Sequence, residues 1–206
     1  MVNIWWNCNL YLLLFMWFVF EKNKLIPDVV LITPQVFGDH RGFFMETYNQ
    51  KDFLDNWIPN IFVQDNHSKS SKWVFRWFHF QTQNTQAKLV RVVAWSVLDF
   101  AIDIRKNSET YGKYVVEMLS AENKKQLYIP KGFAHGFLTL EDDTEFVYKC
   151  DDFYNPHGDG GILYSDSDLG IKREDIMKKY DIQEITLSDK DKKHPTLKQF
   201  LDNNPF

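Results

Sequence analysis

The first stretch of this chain able to carry chemistry is Ile129-Pro130-Lys131-Gly132-Phe133-Ala134-His135-Gly136. Pro130 and Gly132 bracket a tight turn that leads His135 into a strand. An imidazole changes charge near neutral pH and can carry a proton. A lone strand histidine is more often structural, so this segment by itself does not settle function. Sulfur chemistry finds less support: Cys8 and Cys150 stand far apart, in no CxxC or Cys/His spacing. That argues against a zinc knuckle and a disulfide framework, and for a reducing compartment, the cytoplasm. The net charge of -4, with no basic stripe, argues against a nucleic-acid partner. A small phosphorylated ligand stays open, because it needs only two or three placed cations. Aromatic residues make up 17% of the chain, enough for a well-filled core or for a cleft that stacks on rings.

Such residues need a scaffold, and the pattern supplies short strands. Residues 28–33 read as a strand ended by Pro34, and Gly38-Asp39-His40-Arg41-Gly42 as a turn before a strand over 43–48. Residues 50–57 carry helical spacing that stops at Pro59. Extended segments follow at 62–67, 73–81, 89–93 and 97–104, then at 114–119, 125–129, 136–140 and 145–149. A short helix is expected over 173–180. Many short strands at this spacing, with no repeat or linker, predict one mainly β domain, an antiparallel sandwich or barrel.

The P-x-G-x-x-H of Pro130 to His135 resembles the second signature stretch of the cupins, small barrels of jelly-roll type whose mouths hold a ligand or metal. Metal-binding cupins place H-x-H in the first stretch. Here that stretch reads His79-Phe80-Gln81, with one imidazole, so no metal is expected. Several longer motifs, in order, sharpen the resemblance: residues 36–44, 62–70, 88–92, 103–105, 119–123, 130–137 and 145–149. Together they are similar to the dTDP-4-dehydrorhamnose 3,5-epimerase family, metal-free cupins that act on a nucleotide-linked keto-sugar. The likeness spans about residues 27–170, with a weaker tail through Leu187-Ser188-Asp189-Lys190-Asp191.

The resemblance implies cofactor-free acid–base chemistry through an enolate. In it His79 is the base, Asp191 its partner, Tyr148 the opposing acid, and Lys88 the cation near the enolate oxygen. The ordinary reading of Asp191 is different: it lies in the alternating run Asp189-Lys190-Asp191-Lys192-Lys193, which reads as solvated surface. Arg76 and His135 are implied on the sugar and phosphate side, and Arg41, Glu46, Gln64 and Asn66 as nucleotide contacts. Phe37, Phe153 and Tyr154 are candidates to stack on the base or to sit in the core. The resemblance also implies a homodimer that exchanges N-terminal strands.

Three tryptophans depart from the family pattern. Trp73, Trp77 and Trp95 stand where a small or turn residue, commonly glycine, is usual, and Trp77 lies two residues from the expected base. Residues 171–173 also lack the Trp-Pro usual in the family's tail. Three functions follow: an active 3,5-epimerase, a single-centre epimerase on another nucleotide sugar, or a silent sugar-nucleotide binder. Finally, residues 4–20 are almost wholly apolar and precede Lys22 and Lys24. They read as a membrane anchor or as an extension outside the fold. The second is favoured, which sets residues 1–24 apart from a domain over 25–206.

Overall fold

The structure, a computed structural model, describes residues 17–206. Alternation of apolar and polar residues puts most of this length into extended backbone. Strands β1 (Phe18–Lys22), β2 (Val30–Pro34), β5 (Gln64–Ser70), β7 (Lys88–Ala94), β10 (Gln126–Ile129) and β12 (Thr144–Cys150) form a six-stranded sheet. Its order is β1-β2-β10-β7-β12-β5. A five-stranded sheet contains β6 (Phe75–Gln81), β8 (Ser96–Asp103), β9 (Tyr114–Ser120), β11 (Phe133–Thr139) and β13 (Asp159–Gly161), in the order β13-β6-β11-β8-β9. A small hairpin joins β3 (Val36–Asp39) to β4 (Gly42–Met45). All strand pairs are antiparallel, as the pattern predicts, in the cupin-type architecture that the resemblance implies.

Apolar residues fill three layers. The inner layer includes Val90, Val92, Leu127 and Phe146 of one sheet, and Val97, Ala101, Val115 and Phe137 of the other. Beyond the five-stranded sheet, Phe75, Trp77, Phe78, Leu98, Phe100 and Ile102 pack under the C-terminal segment through Leu169, Ile182, Leu197 and Phe200. Beyond the six-stranded sheet, Phe18, Ile32, Leu89 and Tyr128 pack on Phe53 and Ile58, at helix α1 (Gln50–Asp55) and just after it. Each fully buried side chain of this kind contributes roughly 1.5–3 kcal/mol. The outer layers explain why every residue of β8 and β11 is buried, although antiparallel sheets commonly keep one face in water.

The C-terminal segment carries α2 (Arg173–Lys179) and α3 (Leu197–Leu201), the latter started by a capping box of Thr196 and Gln199. A parallel bridge, Val74 to Thr186, ties this segment to the start of β6. The expected break at residue 24 moves. Phe18–Lys22 pair with Val30–Pro34 as an edge strand, and Phe18 is fully buried. Those residues belong to the sheet because their alternate side chains find an apolar surface on α1. Residues 1–16, most of the apolar run, lie outside the described residues. No helix among the described residues is long and apolar enough to cross a membrane.

Candidate active site

The two sheets part at one end around a cavity of about 490 Å³. One wall comes from β6 and β11 and carries Arg76, His79 and His135. The other comes from β7 and β12 and carries Lys88 and Tyr148. A register shift explains how Arg76 and His79 share a wall. Three residues apart on a regular strand, they would face opposite sides. On β11, His135 pairs with His79 and Phe137 with Arg76, so Trp77 and Phe78 together oppose Gly136. This β-bulge turns both aromatic rings into the outer core and both polar side chains into the cavity. Gly136 permits it: a Cβ there would stand 2.8 Å from the Arg76 carbonyl oxygen.

Asp191 reaches His79 through the tail. Phe75 N–H donates to Thr186 O, and Thr186 N–H to Trp73 O, which holds the tail beside β6. The following 3-10 turn, Asp191–Lys193, presents Asp191 Oδ1 at 3.1 Å from His79 Nε2 and 3.7 Å from His194 Nε2. Neither approach is aligned as a hydrogen bond. The carboxylate thus sits between two imidazoles, within ion-pair distance of either ring when that ring carries a proton. Burial works to raise its pKa, but contacts with His194, His79 and Ser188 more than offset this and hold it well below the usual carboxylate range. The His194 ring packs over Gly161, where a Cβ would lie 2.6 Å from its Nε2, and Gly161 pairs directly with His79.

The remaining polar groups are set by burial. His135 Nε2 lies 3.0 Å from Asp99 Oδ2, and burial favours the neutral form of each, lowering the imidazole and raising the carboxyl. Burial also draws the Lys88 ammonium below the ordinary lysine value, against the opposing pull of Cys150, Asp99 and Asp159. It raises the Tyr148 phenol, which therefore holds its proton at neutral pH, although Arg76 pulls the other way. Arg76 Nε donates to Ser70 Oγ at 3.1 Å.

Seven of the sequence candidates meet at this cavity: His79, Asp191, Tyr148, Lys88, Arg76, His135 and Tyr154. Asn66 lines a neighbouring hollow that shares Tyr148, and Gln64 braces it by donating to Asn66 and accepting the Tyr154 N–H. Phe153 is exposed beside Tyr154. Arg41, Glu46 and Phe37 are not brought to the cavity. Arg41 and Phe37 lie on the exposed β3–β4 hairpin, where Arg41 pairs with Asp39, and Glu46 follows it and accepts from Asn49. Trp77 does not fill the cavity mouth; its ring is fully buried among Phe75, Phe78 and Tyr164.

Sequence reasoning missed four groups. Asp159 and Lys190 line the cavity and pair with one another, and Asp99 and His194 back the two histidines. Asp99 had left a signal, an acid at an inward position between the apolar runs Val97-Leu98 and Phe100-Ala101-Ile102. His79, Asp191 and His194 also converge closely enough to ligate one cation, a grouping that no single strand motif contains.

A family model described as dTDP-4-dehydrorhamnose 3,5-epimerase matches residues 23–199. The enzyme of that name from Shigella flexneri is 52% identical over 168 residues, covering 81% of this chain and 89% of its own. Among solved structures, the dTDP-6-deoxy-D-glucose-3,5-epimerase of Legionella pneumophila Philadelphia 1, in complex with dTDP-4-keto-L-rhamnose, superposes with a TM-score of 0.81. It is 41% identical, over 88% of this chain and 93% of that one. The Elizabethkingia anophelis dTDP-4-dehydrorhamnose 3,5-epimerase gives 0.81 at 45% identity, over 89% and 98%. With a histidine, a carboxylate and a facing phenol gathered in one cavity, and a match over nearly all its described length, the chain belongs to the dTDP-4-dehydrorhamnose 3,5-epimerase family of enzymes.

Proposed function

We infer that this chain inverts C3 and C5 of dTDP-4-dehydro-6-deoxyglucose to give dTDP-4-dehydrorhamnose, a step of dTDP-rhamnose biosynthesis. The observation that carries this reading is the opposition of His79 and Tyr148 on facing walls of one cavity. The C4 ketone acidifies the protons on C3 and C5. His79 takes one of them, and the C–H electron pair moves to O4 as an enolate. Lys88 sets positive charge beside that oxygen. Tyr148 then delivers a proton to the same carbon from the other face, and solvent resets both groups. Asp191 orients the His79 ring and balances its charge when protonated. No electrons change hands, so the reaction needs no redox partner. Arg76 suits the diphosphate because its planar fork can hold two oxygens.

The active form is a homodimer in which the β3–β4 hairpin reaches the partner's cavity. Its support is the placement of Arg41, Glu46 and Phe37 away from the cavity of their own chain, with Phe43 and Phe44 exposed beside them. The setting is the cytoplasm, with which the buried free thiol of Cys150 agrees.

The test is deuterium uptake from heavy water into the dTDP-keto-sugar, followed by NMR. Uptake at C3 and C5, lost in His79→Ala, is the expected result. Uptake at one carbon would make this a single-centre epimerase, and none from a folded chain that still binds dTDP would make it a silent binder.

A further inference from the structure

Five tryptophans lie among the described residues, and four of them occupy backbone or packing sites built for glycine. Trp57 has φ 70. It follows the C-cap Asn56 of α1, and the Ile58 N–H returns to the Phe53 carbonyl at 2.9 Å. That bond, with Phe53 and Ile58 both buried, defines a helix stop whose left-handed residue is ordinarily glycine. Trp73 has φ 62 at the third position of a turn closed by Val74 N–H to Ser71 O. A turn with φ > 0 at that position calls for glycine. Trp95 has φ 66 at the single residue between β7 and β8, where the chain leaves one sheet for the other.

Trp77 is misplaced by packing. It sits in the β-bulge of β6, and its centroid lies 3.7 Å from that of Phe75 and 4.0 Å from that of Phe78. Aromatic pairs ordinarily stand about 4.5–7 Å apart. The indole N–H groups of Trp77 and Trp73 are buried without a partner.

The other non-glycine residues with positive φ form a control. They are Asn84, Asp143, Asp181 and Lys124, three of which are types that tolerate this region. Bulky residues seldom occur there, and only about a few per cent of all non-glycine residues do. Nine glycines in 206 residues are also fewer than the ordinary usage of about 7% would give. Independent substitutions would not gather one residue type at a helix stop, a turn, a bulge and a sheet corner. A single change in decoding would.

We infer that the protein made in its own cells carries glycine at positions 57, 73, 77 and 95, the triplet written here as tryptophan being decoded there as glycine. The working enzyme then has a relaxed bulge beside Arg76 and His79 and an unstrained turn where the tail is tied to β6.

Peptide mass spectrometry of the protein from the cells that carry the gene is the direct test. Peptides lighter by one indole side chain per site are expected, and tryptophan at these four sites would overturn the inference. The gene gives a second check: all four positions must share UGA, which the standard code reads as stop, and UGG at any of them counts against it. Recombinant chains give a third. The form with all four glycines is expected to melt at a higher temperature than the tryptophan form, and an equal or lower melting point contradicts the argument from φ. None of these readouts depends on the substrate, so they stand apart from the epimerase assay.

Discussion

Two histidine–aspartate pairs share the cavity, and they are electrostatically opposite. His79 meets Asp191 at 3.1 Å and His135 meets Asp99 at 3.0 Å, so distance does not separate them. Surroundings do. The His79 side chain keeps 32% of its surface, and Asp191 has three polar neighbours that stabilise its charge. His135 keeps 7% and Asp99 none, and burial favours the neutral form of both. The same two residue types thus yield a charged carboxylate behind an accessible imidazole in one place, and a fixed polar wall in the other.

Substitutions can break this contrast, the strongest first. His79→Ala is expected to lower deuterium uptake by about two to four orders of magnitude, the range of a lost general base. Chemical-shift titration with dTDP should still detect binding. Asp99→Ala attacks the other pair and reads out in stability. Leaving a neutral His135 buried without its hydrogen-bond partner is expected to cost about 1–3 kcal/mol in urea unfolding, whereas Asp191→Ala, beside a part-exposed histidine, costs less. Equal losses from the two would erase the distinction drawn here.

Acidity sharpens it further. Asp191 is depressed in the folded state, so its contribution is full above the ordinary aspartate value, about 3.9, and fades as pH falls below it. Asp99 is raised, so its folded state binds the proton more readily and stability falls as pH climbs past that same value. Melting curves of Asp191→Asn and Asp99→Asn between pH 3 and 7 should therefore diverge from the parent in opposite directions. The smallest effect belongs to His194→Gln. It removes the second imidazole on Asp191 and is expected to slow exchange several-fold and alter its pH profile, with binding of dTDP intact.

The strands and the cavity-facing side chains of the barrel were legible because period-two alternation and the run of motifs both survive in one dimension. What stayed hidden depends on contacts distant in sequence. Asp191 and Lys190 lie in an alternating charged run whose local reading is surface, and ties distant in sequence, the Val74–Thr186 bridge before them and the Leu163–Pro195 hydrogen bond after, turn them inward. The bulge that aligns Arg76 with His79 is invisible because the residue that makes room for it, Gly136, is on another strand. Phe18–Lys22 read as the end of an apolar run, since nothing local announces the β2 edge they pair with. The tryptophan departures at 73, 77 and 95 were visible as letters, but their meaning needed φ and ring distances.

The tie between Thr186 and β6 also orders events in time. Synthesis runs from the N-terminus, and every strand of both sheets is complete by Gly161. A nascent chain can therefore close its barrel and present His79 before Asp191 has left the ribosome. Pairing of His79 with Asp191 belongs to the last moments of the protein's birth, and a chain cut short before residue 186 would be a barrel without it.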